Sequence, residues 1–220
     1  MADLSKNKYT ELLVSIILFI LSLALLDERG PRSLIVSPIF LGVIISIIRK
    51  LTSSQRVFTL YVGCAVLGFL FEVIFSLKLI PQFSVVLYIT SNFIYVVFLY
   101  MAIILIGKRI SKEKSVTSDT FRGGFCMYLF IGTLFSLLYQ SISLLDPKAF
   151  FYSIERRGIY KLMYYSFTTL TTLGYGDIVP LNRLAMVLSN LESIIGILFP
   201  AVFIARLVSL YSVQDLENED

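Results

Sequence analysis

Histidine is absent from this sequence, and only 15% of its 220 residues are charged. Without histidine, and without a nucleophile set beside a base, His-based catalysis is excluded and an enzyme is not expected. The acidic residues and cysteines form no cluster with metal-ligand spacing, which excludes most zinc sites. The two cysteines, Cys64 and Cys126, both fall inside apolar runs, so they read as buried thiols and not as a disulfide framework. The formal charge of +4 is small, and the basic residues lie beside apolar runs, which argues for topology signals and against nucleic acid as a partner. What the chain has in excess is apolar surface, with 57% hydrophobic residues and a mean hydropathy of +0.83. A soluble domain of this size could not hide that much, so the chain reads as an integral membrane protein.

Six apolar runs suit membrane spans: 9–26, 34–48, 57–77, 84–107, 121–145 and 182–211. No small-residue cleavage pattern follows the first, and Asp27-Glu28-Arg29-Gly30-Pro31 reads as a tight external loop, so this run is a span and not a signal peptide. The second is short and interrupted by Pro38; the third carries Glu72 and the fourth Asn92. A basic linker, Lys108–Thr120, separates the fourth from the fifth, and its stretch from Lys108 to Lys114 suits anionic lipid headgroups or a solvated loop. Residues 159–171 are too few and too polar to span and read as a short helix. Six spans put both termini on one side. Taking that side as cytoplasmic places eleven of the 19 Lys and Arg inside and eight outside, the sign expected of a multi-pass cell-membrane protein.

Between the short helix and the last span lies Thr168-Thr169-Leu170-Thr171-Thr172-Leu173-Gly174-Tyr175-Gly176-Asp177. Two alternating glycines resist a helix and permit φ > 0. An extended loop with Gly174 and Gly176 in that region aims successive carbonyls the same way, and stacked carbonyls can replace the hydration shell of a potassium ion. Thr172-Leu173-Gly174-Tyr175-Gly176-Asp177 resembles the selectivity-filter signature of potassium channels, usually Thr-Val-Gly-Tyr-Gly-Asp, with Leu173 in place of Val. The resemblance covers roughly the last hundred residues and not the first 120. It implies an all-α membrane fold of six transmembrane helices plus a re-entrant pore helix and filter loop. It divides the chain into a four-helix domain at 1–120, a pore domain at 121–211 and a short acidic tail at 212–220. It also implies a homotetramer. No internal repeat is present, Gly-Tyr-Gly-Asp occurs once, and one loop cannot encircle an ion.

By the same resemblance, Thr172, Leu173, Gly174, Tyr175 and Gly176 bind K+, and Tyr164, Tyr165, Thr168, Thr169 and Asp177 support the filter. Tyr165 and Thr169 would reach the Tyr175 hydroxyl. Alternatively, Tyr164 and Tyr165 are interfacial belt residues. The Leu173 side chain would pack on the pore helix. Some relatives place a Glu one turn before the filter, where this chain has Thr168, so Asp177 lacks that carboxyl partner.

Gating candidates lie in the sixth span. Gly196 suits either a hinge or close helix packing, and Pro200 suits a kink. Ile197, Ala201, Ile204 and Val208 recur at helical spacing and form either a hydrophobic inner gate or a face against the fifth helix. Glu192 is the most unusual charge, because a carboxylate at membrane depth costs on the order of 2.5–3.5 kcal/mol. It suits a hydrogen bond to the pore helix, a pH-dependent gating role or a buried helix–helix contact. The fourth span contains no basic residue between Ser84 and Gly107, so weak or absent voltage dependence is expected. The chain ends soon after the sixth span, and no cytoplasmic ligand-binding domain is expected. The function implied is passive, K+-selective conduction, with a non-conducting or weakly selective cation-channel subunit as the alternative.

Overall fold

The computed structural model describes residues 8–25, 38, 41–46, 48–49, 54–113, 116–153 and 160–219. Residues 1–7, the first external loop, residues 34–37, 39, 40 and 47 of the second expected span, and Lys50, Lys114, Arg156 and Arg157 lie outside the described residues. Six α-helices are described in full: α1 (Lys8–Leu25), α2 (Gln55–Ser76), α3 (Ser84–Ser111), α4 (Ser118–Leu145), α5 (Tyr160–Leu170) and α6 (Arg183–Glu219). Residues 41–46 are also helical. Two three-residue strands, β1 (Phe150–Tyr152) and β2 (Ile178–Pro180), pair antiparallel.

Among the described residues, four helices are long and apolar enough to cross a membrane: α2, α3 with the short turn before it, α4, and α6 as far as Tyr211. In α1 the apolar stretch Tyr9–Ser22 is shorter. Two boundaries differ from the sequence reading. The expected linker at 108–120 begins inside α3, whose last turn carries Lys108 and Arg109, basic side chains suited to a helix C-terminus. The expected acidic tail at 212–220 continues α6 to Glu219, since no Gly or Pro follows Tyr211 to end it.

Helix α4 organises the packing. Thr117 caps it, accepting from the Thr120 N–H, while the Thr120 hydroxyl accepts from the Thr117 N–H and donates to Glu113. Toward one end, its Cys126, Met127 and Phe130 pack with Tyr9, Leu12 and Ile16 of α1, Ile44, Tyr61 of α2, and Phe98 and Ala102 of α3. Toward the other, its Ile131, Phe135, Tyr139 and Ile142 pack with Phe150, with Leu162, Tyr165 and Leu170 of α5, and with Ile178 and Ala185. Polar pairs cross the apolar helices where lipid would leave them unmatched. Ser91 donates to the Gly68 carbonyl, Tyr88 to Gln140, and Asn92 to Ser141. Glu72 accepts from the Tyr95 phenol at 2.5 Å, a partner the sequence did not suggest.

Candidate functional site: a carbonyl-lined loop at the end of a short helix

Helix α5 is eleven residues long and ends where the Thr-Gly segment begins. The final turn of any helix leaves carbonyls without intrahelical partners. Here the loop's own amides fill them. The Thr171 N–H donates to the Phe167 carbonyl, the Thr172 N–H to Thr169, and the Leu173 and Gly174 N–H groups both to Thr168, at 2.8 and 3.1 Å. Tyr128 of α4 donates its hydroxyl to the Leu170 carbonyl at 3.2 Å. The loop amides are thus spent on the helix end. Thr168, expected as filter support, accepts the Leu173 and Gly174 amides at its backbone carbonyl, while its hydroxyl donates back to the Tyr165 carbonyl.

Beyond that turn the chain alternates in hand. Thr172, Gly174 and Gly176 have φ of +58°, +52° and +79°, whereas Leu173 and Tyr175 between them do not enter the positive region. Alternation of this kind is what a ribbon with successive carbonyls aimed the same way requires. Gly tolerates positive φ, but for a β-branched Thr it is an outlier, held by its surroundings. Thr172 therefore marks the ribbon as starting one residue earlier than the glycines alone indicate. The whole run 171–176 is exposed in the single chain.

The far end of the ribbon is clamped. Asp177 presents its carbonyl to the Ser153 N–H at 2.9 Å and to the Ser153 hydroxyl at 3.2 Å. β2 then pairs with β1 in the register Phe150 with Pro180, Phe151 with Val179 and Tyr152 with Ile178. Asn182 caps α6 by accepting from the Ala185 N–H, and its amide donates to Asp146 at the end of α4. The Phe150-Phe151-Tyr152 run, read from the sequence as part of an external loop, is the strand that ties the ribbon's exit to α4. Three adjacent aromatics carry no alternation of polar and apolar residues, so the sequence offered no periodic signal for this strand, although Phe150 is buried and Phe151 exposed.

The support residues divide differently from the expectation. The Tyr165 hydroxyl does not reach Tyr175. It lies 2.6 Å from the Ser189 hydroxyl on α6, because the Tyr165 ring is buried edge-on against Tyr139 and Phe150. Tyr164 is the residue beside the ribbon. Its ring lies parallel to that of Tyr175, with centroids 6.2 Å apart, and its hydroxyl donates to the Asp177 carboxylate at 3.3 Å. Asp177, without a Glu at position 168, has a phenol partner instead. The Leu173 side chain is 55% exposed and the Tyr175 side chain 65%, so Leu173 does not pack on α5 of its own chain.

On α6, Ser189, Glu192, Ser193 and Gly196 fall on one stripe, and each meets the matching turn of α5. Ser189 meets Tyr165, Glu192 meets Ser166, Ser193 donates toward the Thr169 carbonyl at 3.4 Å, and Gly196 lies against the Leu170 carbonyl. The 3-4-7 spacing of small and polar residues within an apolar span was visible in the sequence as a stripe. The opposite expectation for Ile197, Ala201, Ile204 and Val208 resolves against the fifth-helix face, since all four are exposed. Phe199 and Phe203 turn to α4, the first beside Tyr128 at 5.9 Å and the second over Gly124. Pro200 lies within α6, which runs through it. Among the described residues no group of three His, Cys, Asp or Glu could hold a metal ion.

No curated protein and no solved structure matches this chain. Residues 123–213, less than half of the 220, match a family described as Ion channel. The matched stretch begins in α4, contains the short helix, the ribbon and the strand clamp, and ends in α6. This stretch is similar to that ion-channel family, and it lies in a chain whose described residues include four helices long and apolar enough to cross a membrane.

Proposed function

We propose that the chain is the subunit of a homotetrameric, potassium-selective channel that conducts passively and with little or no voltage dependence. The ribbon Thr172–Gly176 carries this reading, because its alternating dihedrals, with the Thr172, Leu173 and Gly174 amides spent on α5, suit a row of carbonyls offered to a dehydrated cation. α5 adds to it. Its C-terminal end bears the negative pole of the helix dipole and lies at the ribbon's base, favouring a cation there. One ribbon cannot surround an ion, and the exposed ribbon together with the exposed stripe Ile197, Ala201, Ile204 and Val208 suits a ring of copies with α6 lining the pore. The stripe then supplies the hydrophobic constriction. α3 carries its described basic residues, Lys108 and Arg109, only in its last turn, outside the span of the field, so it has no charge to move. In this reading both termini face the cytoplasm of the cell membrane, and Lys108, Arg109 and Lys112 meet anionic headgroups.

The reversal potential of the purified protein in a planar bilayer, with potassium on one side and sodium on the other, tests the reading. A reversal far toward the potassium equilibrium potential, with block by barium, is expected. A reversal near zero would establish a weakly selective cation channel.

The Tyr164–Asp177 contact supports a smaller prediction. A hydrogen bond to a charged group contributes about 1.5–3 kcal/mol when short and buried, and less at 3.3 Å with Asp177 partly exposed. Tyr164→Phe is expected to keep selectivity and shorten the conducting lifetime by roughly fivefold, an effect near 1 kcal/mol. Current decay in the same bilayers measures it, and an unchanged decay would remove Tyr164 from the support of the filter.

A further inference from the structure

Glu192 has no exposed surface, and hydroxyls from two other helices meet its carboxyl group. Tyr139 of α4 donates to Oε2 at 2.6 Å, and Ser166 of α5 contacts Oε1. The same Ser166 Oγ lies 2.7 Å from the carbonyl oxygen of Gly132 on α4. A serine hydroxyl has one proton to give, and a carbonyl oxygen only accepts. If Ser166 gives its proton to an ionised Glu192, then Ser166 Oγ and the Gly132 oxygen face each other at 2.7 Å with no proton between them. If Glu192 is itself protonated, it donates to Ser166, Ser166 donates to Gly132, and Tyr139 donates to Oε2. Every contact then holds one proton. The neighbouring pair obeys the same count: Ser189 donates to the Ala185 carbonyl at 2.7 Å, which leaves Tyr165 to donate to Ser189. The titratable groups facing the carboxyl are Tyr139 and Tyr128 from α4 and Tyr165 from α5. No basic side chain among the described residues lies against it to balance a negative charge.

We propose that Glu192 is held as a neutral carboxylic acid whose proton completes a bridge from the inner helix α6, through Ser166 of the pore helix α5, to Gly132 of the outer helix α4, and so positions the filter. The proposal rests on the channel reading above for its effect on conduction. Glu192 acts through Ser166 and is a positioning residue, not an ion ligand. Ser166 lies two residues before Thr168, whose carbonyl receives the Leu173 and Gly174 amides, so the bridge ends at the base of the ribbon. Loss of the proton turns the Ser166 hydroxyl to the carboxylate, leaves Gly132 without its donor and removes this tie between α5 and α4.

The test uses the full chain in liposomes, as wild type, Glu192→Gln and Glu192→Leu. At neutral pH the wild type is expected to show an infrared carbonyl band of a buried carboxylic acid that Glu192→Gln lacks. Spectra without that difference overturn the proposal, whatever the flux. Potassium flux is then followed as the pH is raised until the acid band disappears. Wild-type flux is expected to fall about tenfold or more as the acid ionises, the effect of losing the neutral Ser166–Gly132 hydrogen bond in each subunit. In Glu192→Gln, the amide N–H₂ donates to Ser166 and the amide oxygen accepts from Tyr139 at every pH, so flux persists with a flat profile. Glu192→Leu makes neither bond and loses flux throughout. A wild-type pH profile that Glu192→Gln does not flatten, or wild-type flux in Glu192→Leu, would remove the positioning role. An acid band in a protein that passes no potassium would count against the channel reading and leave the protonated bridge itself in place.

Discussion

Gly196→Ala is expected to yield little or no assembled protein. A Cβ at this position would lie 1.8 Å from the Leu170 carbonyl oxygen, 2.8 Å from its carbon and 3.2 Å from its Cα. These are backbone atoms and cannot turn aside as a side chain can. To reach an ordinary C···O separation, the end of α5 would have to retreat by roughly 1.5 Å. The Leu170 carbonyl also accepts from Tyr128, and the residues after it enter the ribbon, so the displacement passes straight into the site. Ordinary overpacking costs about 1–3 kcal/mol, and a backbone clash this close should exceed that in every copy. The hinge reading predicts the reverse. Alanine is a better helix former than glycine by about 1 kcal/mol, so a mere hinge would accept it with altered gating and intact assembly. Gly63 of α2 serves as the control, because nothing lies within 4 Å of its would-be Cβ. Size-exclusion chromatography and thermal unfolding of the two variants decide the matter. Gly63→Ala should match or exceed the wild type, and a well-assembled Gly196→Ala would restore the hinge.

The same residue shows where the sequence was informative and where it was not. Composition and run length located the helices, since α2, α3, α4 and α6 each begin or end within a few residues of the apolar runs read from the chain. The Thr-Leu-Gly-Tyr-Gly-Asp motif located the ribbon, because its glycines state the backbone requirement directly. The sequence did not choose between hinge and contact for Gly196, because a missing side chain looks the same in both roles. Nor did it assign the tyrosines. Tyr164 and Tyr165 are adjacent, and on a helix they point about 100° apart. That rotation sends one ring to Tyr175 and Asp177 and the other to Ser189, and only the placement of α6 decides which goes where. The clamp of β1 on β2 joins residues nearly thirty positions apart, through backbone hydrogen bonds to which side-chain patterns are blind. Glu192 was legible as an anomaly, but its partners come from two other helices and could not be named from its own span.

Gly174→Ala should fail in the opposite way, by assembling normally and losing potassium selectivity. No atom lies within 4 Å of the Cβ that alanine would add, and the residue is exposed, so nothing in the fold of the single chain resists the methyl group. What resists it is the backbone. At φ +52° an L-residue pays about 1–2 kcal/mol, where glycine pays almost nothing. Thr172 already bears such a penalty at φ +58°, and adding one beside it makes the conducting ribbon the less stable of its local conformations. In the proposed ring of four copies the penalties add to about 4–8 kcal/mol, enough to turn at least one peptide group and its carbonyl away from the axis in most assemblies. The expected readouts are a wild-type elution volume and unfolding temperature, together with potassium current reduced by at least about a hundredfold or a reversal potential moved toward zero. Wild-type selectivity in Gly174→Ala would mean that the positive φ at this position is not needed for conduction. Loss of assembly would mean that the ribbon packs against neighbouring copies more closely than its exposure in the single chain suggests. Gly174 and Gly196 both lie within the stretch that resembles the ion-channel family, and both are expected to reject a single methyl group. One is constrained by dihedral angle and the other by space, so the two variants should separate the machinery of conduction from the packing that holds it.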